Sequence, residues 1–220
     1  MDYEHIIQDG LSTDQTIPIC RQTISDKHFI YSEKDNGLYQ ALNSAIKKAN
    51  GRYVIILHAD DFFPHEHVLK KIHGFIVQEK FPNLVYGDLN YVDYGNLQRV
   101  VRRWKSGEFR KGAFYEGWMP PHPALVVEKQ IFEFSGYFNE TFRISGDYEW
   151  MLRVFEKFSY SMKYFPEVLV HMRTGGLSNK GMQSRLLAWK EDKRAWEING
   201  LKPKFYTLLK KKFGKIFQYF

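Results

Sequence analysis

The chain has 220 residues, 44% hydrophobic, 26% charged and 17% aromatic, with a formal net charge of +7. That length suits one domain with a full core and a small C-terminal appendage, and the composition excludes a disordered or fibrous chain. The positive charge points to an anionic partner; no nucleic-acid motif accompanies it, so nucleic acid ranks below a nucleotide diphosphate or an anionic membrane.

In chain order, the residues 5–7 read as a strand ending at Asp9-Gly10, and residues 29–31 as a second. Leu38, Ala41, Leu42, Ala45, Ile46 and Ala49 fall on one side of a helix that Asn50-Gly51 stops. Residues 53–57 form a continuous apolar run, as for a strand buried on both faces. A helix over 66–79 with Val68, Ile72, Phe75 and Ile76 inward follows, then a strand at 84–86. Residues 89–94 and 97–104 flank Gly95-Asn96 as a hairpin. A stiff Pro120-Pro121-His122-Pro123 loop precedes a strand at 124–127. Ser145-Gly146 opens a helix over 147–158, and residues 168–172 form the last strand. Strands alternating with helices in the first half predict α/β architecture.

Cys20 is the one cysteine, so no intrachain disulfide forms and a reducing, cytoplasmic compartment is expected. The first ten residues carry Asp2 and Glu4 and no apolar run, unlike a signal peptide. No stretch approaches the ~20 apolar residues of a membrane span. Residues 202–220 hold six lysines and no acidic residue, with Phe205, Leu209, Phe213, Ile216 and Phe220 in one helical stripe that Lys212 interrupts. Such a tail either lies on an anionic bilayer, peripheral on the inner face of the cell membrane, or packs on its own domain.

Asp60 and Asp61 follow the most apolar strand, where open α/β sheets bind ligands. Adjacent carboxylates there need a compensating charge, and magnesium or manganese supplies it with oxygen ligands. Capping of the next helix is the plainer alternative. Asp147, opening a helix after a flexible turn, can project into a cleft as a base or serve as an ordinary first-turn aspartate. Glu149 competes but points to another helix face. Histidines 65 and 67 are two apart, which does not fit zinc spacing on a helix.

Five ordered blocks decide between these readings. Residues 9–14 (D-G-L-S-T-D) resemble the D-G-G-S-T-D loop of the inverting, family-two glycosyltransferases; residues 32–37 (S-E-K-D-N-G), Asp60-Asp61, residues 117–123 (G-W-M-P-P-H-P) and residues 145–149 (S-G-D-Y-E) resemble that family's later blocks. The resemblance implies a GT-A nucleotide-diphospho-sugar transferase fold, a mixed, mainly parallel sheet flanked by helices with a C-terminal helical tail. It implies a domain over 1–180, with a nucleotide-binding half at about 1–88 and an acceptor half at about 89–180, and a basic tail over 181–220. Asp9, Lys34, Asp35 and Asp60 would bind the nucleotide sugar, a UDP- or GDP-sugar. Asp61, with His171, would hold Mn2+ or Mg2+, and His171 or Arg173 would close over the phosphates. Asp147 would be the base, and Trp118, Met119 and His122 would face a saccharide or lipid-linked saccharide acceptor, as in surface-polysaccharide biosynthesis.

The family's chains carry an apolar strand and helix before the first block, whereas this sequence reaches Asp9 almost at once. Either the sequence is truncated or the protein does without its first β-α unit, and in both cases an unpaired sheet edge is expected. Leu11 stands where the block has glycine, His58 where asparagine is frequent, and Pro18 is expected to break the following helix. A degenerate, non-catalytic glycan- or partner-binding protein, and a metal-dependent phosphoryl-transfer or hydrolytic enzyme, are the alternative functions.

Overall fold

The computed structural model describes residues 2–23, 25–174 and 181–214. β1 (His5–Asp9), α1 (Thr16–Gln22) and β2 (His28–Ser32) form a β-α-β unit whose two strands pair in parallel. α2 (Leu38–Lys48), β3 (Tyr53–Ile55), the two-residue β4 (Asp61–Phe62) and α3 (Val68–Gln78) follow. The second half comprises β5 (Leu84–Val92), β6 (Val100–Trp104), β7 (Leu125–Glu128), α4 (Gln130–Ser135), α5 (Gly146–Lys157), β8 (Met162–Arg173), α6 (Gly181–Ile198) and α7 (Thr207–Gly214).

β3, β7, β5, β8 and β4 lie side by side in one sheet, and β6 adds to β5. The expected α/β class holds, but its proportions differ. Parallel pairing is confined to β1–β2 and the long β5–β8 ladder, while β3–β7, β5–β7, β4–β8 and β5–β6 are antiparallel. β1 pairs with β2 alone and β3 with β7 alone among the described residues, so each has an edge without a strand partner. This corrects the reading of 53–57 as a strand buried on both faces. β3 is three residues long and half-buried throughout: Val54 packs on one core cluster and Tyr53 and Ile55 on the other, but one of its edges has no strand partner among the described residues.

Period-two alternation divides the core into two layers. Leu84 and Tyr86 of β5 and Leu125 and Val127 of β7 face one cluster, with Phe114, Phe132, Trp150, Phe155 and Trp196. Val85, Leu89 and Val126 face the other, under Val68, Ile72 and Ile76 of α3. The spacing of four between those α3 residues is what places them on one helix stripe.

Two local expectations fail for identifiable reasons. Pro18 does not break α1; it is the third helical residue, where a backbone N–H has no intrahelical acceptor to lose. In α2, Leu38 is exposed, and Tyr39, Asn43 and Ile46 are the buried residues. The inward face is rotated because Tyr39 and Asn43 hydrogen-bond to the 138–147 region.

The tail docks by the face opposite its apolar stripe. Thr207 is buried and donates to the Tyr115 carbonyl at 2.6 Å. Lys211 pairs with Asp192 at 2.7 Å and lies 3.3 Å from the Tyr148 ring centroid. Lys204 and Lys210 both hold Glu116. Phe205, Leu209 and Phe213 remain exposed, while Ile216 and Phe220 lie outside the described residues.

Candidate active site

The first loop of the site is built around Asp9, the last residue of β1. Burial works to raise its carboxyl, but hydrogen bonds from Ser12 and Ser32 outweigh it and hold the group below the usual carboxylate range. Ser12 Oγ donates at 2.5 Å, Ser32 Oγ at 2.6 Å and the Ser12 amide at 3.0 Å. Asp9 is thus the organiser of its own loop, a role the sequence blocks did not assign. A side chain at Gly10 would put Cβ 2.5 Å from Asp35 Oδ2, so glycine there is what lets Asp35 close over the loop. Asp35 Oδ1 in turn accepts from the Gly37 amide at 2.9 Å. Lys34 is exposed beside it. The structure therefore brings the 9–12 and 34–37 loops together.

Asp60 and Asp61 differ sharply in environment. Asp60 is exposed. Asp61 is buried in β4, and neither of its carboxylate oxygens meets a hydrogen-bond donor. Burial, with the negative charge of Asp60 adding to it, pushes the Asp61 carboxyl up to about 7. An orphaned, buried carboxylate beside an exposed one fits a hard divalent cation, since magnesium is commonly held by one or two carboxylates plus substrate phosphates. No group of three or more His, Cys, Asp or Glu residues suited to a metal occurs among the described residues, so further ligand oxygens would come from substrate or water.

His171 does not join Asp61. In the β4–β8 ladder Asp61 is opposite Met172, and Phe62 is opposite His171. Residues directly across a ladder share a face and neighbours alternate, so His171 lies with Phe62 on the other face. Its ring packs edge-on against Phe62 at 5.4 Å. Arg173 shares that face, its guanidinium 5.8 Å from the Phe62 ring and its buried Nε without an acceptor. Its amide donates to the Asp60 carbonyl at 3.2 Å.

Asp147 enters from the other half of the molecule. Tyr39 Oη donates to the Ile144 carbonyl at 2.7 Å and lies 3.3 Å from Asp147 Oδ1. A Cβ on Gly146 would approach the Tyr39 ring to 2.7 Å; the missing side chain lets the start of α5 rest on that ring. Glu191 of α6 accepts from the amides of Arg143, Ile144 and Ser145 at 2.8–2.9 Å, fixing the approach to Asp147. Glu149, the competing carboxylate, is buried and engaged by Arg153 and Asn199. Local chemistry separates the two acids.

Two histidines join the halves. His58 precedes the carboxylate pair, and His122 comes from the proline loop, with ring centroids 5.8 Å apart. Burial pushes the His58 imidazole below its ordinary value, while the charges of Asp147 and Asp60 both act to raise it. Burial pushes His122 down to about 4, opposed by Asp147 and aided by His58. His122 is therefore a buried, neutral neighbour of Asp147, packed on Phe138 at 5.5 Å, and not an exposed acceptor contact. Trp118 donates to the Ser106 carbonyl at 2.6 Å and packs among Tyr86, Phe109, Phe114 and Phe155. Met119 is half-buried against the same cluster. Trp118 and Met119 thus pack into the core cluster. Sequence reasoning missed Tyr39 altogether and noticed His58 only as a departure; a hydroxyl on a helix face and a histidine before two aspartates were the available signals.

Comparisons place this geometry among known proteins. A PGL/p-HBAD biosynthesis glycosyltransferase of Mycobacterium bovis is 27% identical over 182 residues, 81% of this chain and 68% of its own length. The putative teichuronic acid biosynthesis glycosyltransferase TuaG of Bacillus subtilis is 37% identical over 73 residues, 32% of this chain and 29% of its own. S. aureus TarS 1-349, solved in complex with UDP-GlcNAc, superposes with a TM-score of 0.67 at 17% identity, over 94% of this chain and 60% of that one. The mannosyltransferase PcManGT from Pyrobaculum calidifontis, in complex with GDP-Man and Mn2+, gives 0.59 at 18% identity over 91% and 56%. Both structures share the fold, and this chain spans little more than half the length of each. The glycosyl transferase family 2 model matches residues 1–143, about two thirds of the sequence, and the chain belongs to that family.

Proposed function

We propose that this chain transfers a hexose, with inversion, from a UDP- or GDP-sugar to a saccharide or lipid-linked saccharide acceptor in surface-polysaccharide biosynthesis. The observation that supports the reading is the packing of His58, which precedes the carboxylate pair, beside His122 of the proline loop, with ring centroids 5.8 Å apart. The charge of Asp147 acts on both imidazoles, which supports one site shared by the carboxylate pair after β3 and the acid opening α5. Residues of about 1–88 serve the donor, those of about 89–180 the acceptor, and 181–220 form the tail. Asp9 and Asp35 shape the nucleotide pocket that Lys34 borders.

Asp60 would bind the nucleotide sugar, and Asp61 beside it would hold Mn2+ or Mg2+, which when bound neutralises the departing diphosphate. Asp147 takes the proton of the acceptor hydroxyl as its oxygen attacks the anomeric carbon. The bond from that carbon to the diphosphate breaks, and the diphosphate leaves with the electron pair. Tyr39 and the Glu191-held 143–145 loop orient the carboxylate for this step. The orphaned oxygens of Asp61 support the metal, and the names of the family relatives support the polysaccharide or glycolipid product.

Calorimetry with UDP and GDP, each with and without manganese, tests the donor half. Metal-dependent binding is the expected result. Failure of either nucleotide to bind, with or without metal, would favour a non-catalytic binding protein, a reading consistent with the open edges of β1 and β3. Release of free sugar or phosphate without any acceptor would point to a hydrolase.

The tail adds a membrane contact to this reading. No helix among the described residues is long and apolar enough to cross a membrane. Phe205, Leu209 and Phe213 nevertheless project outward, and an apolar helix face beside lysines suits an anionic bilayer surface. Removing residues 202–220 should abolish co-sedimentation with anionic liposomes; equal binding of the shortened chain would refute the contact.

A further inference from the structure

A cavity of about 300 Å³ opens between α6 and the loop that leads to Asp147, lined by Thr141, Arg143, Leu187, Lys190, Glu191 and Arg194. The four α6 residues follow i, i+3, i+4, i+7 spacing and so form one helix stripe facing the loop. Three of the six side chains are cationic and one is acidic. The acidic one is already committed, because both Glu191 oxygens accept from the backbone amides of Arg143, Ile144 and Ser145.

Arg194 is held in place before any ligand arrives. Its guanidinium donates to the hydroxyl of Thr141 at 2.6 Å and to its carbonyl at 3.3 Å, and lies 4.7 Å from the Phe142 ring centroid. Arg143 and Lys190 are exposed and have no ion pair among the described residues. Several other surface cations are matched with carboxylates: Lys48 with Glu33, Lys71 with Glu167, Lys163 with Glu79. A hollow that gathers three cations with no free carboxylate is suited to a multivalent oxyanion, and guanidinium groups favour phosphate through paired N–H donors. Arg143 on its wall stands four residues before Asp147 in the chain.

We propose that this cavity binds a phosphate group carried by the acceptor, held beside the sugar whose hydroxyl faces Asp147. The anion site stands on the cavity alone; its assignment to the acceptor rests on the transfer reading. In the full chain with UDP and magnesium present, titration with inorganic phosphate should shift the Nε–H resonances of Arg143 and Arg194 saturably, and chloride at equal ionic strength should not. The double variant Arg143→Gln, Lys190→Gln, its fold checked by circular dichroism, should weaken phosphate binding at least fivefold, read from the Arg194 signal. Absence of saturable shifts, or the same affinity in the double variant, overturns the site.

Glycerol phosphate and vesicles of phosphatidylglycerol in phosphatidylcholine separate the sources. Shifts with the soluble ester support a saccharide- or polyol-borne phosphate, and shifts with vesicles alone support a lipid-linked one. For a phosphate-bearing acceptor, Lys190→Gln, which leaves the 143–145 loop intact, should raise KM about fivefold with little change in kcat; an unchanged KM overturns the acceptor assignment. Failure of UDP to bind would sink the transfer reading while the phosphate titration still decides the cavity.

Discussion

The two halves of the site are held by different kinds of structure. On the proposed donor side, β1, β2 and β3 are half-buried strands with few partners, and the candidate carboxylates are organised by neighbours in sequence or on the adjoining strand: Asp9 by Ser12 and Ser32, Asp35 by Gly37. On the proposed acceptor side, β5 and β7 are largely or wholly buried, and Asp147 is positioned over long chain distances by Tyr39 and Glu191. The contrast has a physical sense. A pocket that must admit a large, flexible nucleotide sugar tolerates a thin, adjustable wall, whereas a base must meet one hydroxyl within hydrogen-bond reach.

The strongest way to break the comparison is to remove the base and leave the donor side alone. Asp147→Ala should lower the transfer rate by ~10²–10⁴-fold, the usual worth of a positioned base, with metal-dependent UDP binding unchanged by calorimetry. A variant retaining the full rate would remove Asp147 from the mechanism.

The donor side should show the opposite trade. Asp61 has its carboxyl raised from 3.8 to about 7 by burial. With the folded value above the unfolded one, the unfolded chain ionises first, so stability is lost as pH rises from 3.8 to about 7 and stays lost above it. Asp61→Asn should therefore stabilise the metal-free protein at pH 8, by up to about 4 kcal/mol, and its stability should no longer fall across that window. The same substitution should abolish metal-dependent nucleotide binding. Denaturant unfolding at pH 4 and pH 8 reads the first effect; equal loss of stability with pH in both proteins would contradict it.

Much of this contrast was legible in the residues, and what was not has a reason. Elements with strong periodicity, such as α3 and α5, were readable because the spacing of Val68, Ile72 and Ile76, or of Tyr148, Met151, Leu152 and Phe155, is dictated by the core they face. β3 was misread because an apolar run reports composition and not how many neighbours a strand finds. β8 is longer than the 168–172 segment because residues 162–164 pair with β5, a long-range register that no local pattern encodes. Asp60, Asp61 and Asp147 stood out as carboxylates at strand and helix ends. Tyr39, His58 and Glu191 did not, since their roles depend on contacts across as many as 108 residues of chain. The placement of His171 beside Asp61 failed for a related reason: the face of a residue in β8 depends on its register with β4.

Glu191 sharpens the same comparison at lower cost to the fold. Glu191→Ala would leave three amides of the 143–145 loop without acceptors. A carboxylate accepting from buried amides contributes about 1.5–3 kcal/mol per charged hydrogen bond, and the effects are not additive, so about 2–3 kcal/mol of stability should go. Transfer should fall while nucleotide affinity holds, as a comparison of kcat with UDP titration would show. Loss of UDP affinity in step with transfer would mean that the halves are not separately built.

The smallest effect probes the donor loop. Leu11 adopts φ 65°, in the left-handed region, and is exposed, so its side chain gains little from burial to offset the strain. Such a residue costs roughly 1–2 kcal/mol relative to its usual conformations, and glycine removes that cost but adds about 0.5–1 kcal/mol of chain entropy. Leu11→Gly should therefore stabilise the protein by only about 0.5–1 kcal/mol, measured as a shift in the denaturant midpoint at constant m-value. The same change in the well-packed half, where side chains are buried and φ is ordinary, would destabilise. A clear loss of stability in Leu11→Gly would show that the loop around Asp9 depends on the Leu11 side chain, and that the donor wall is less adjustable than its exposure implies.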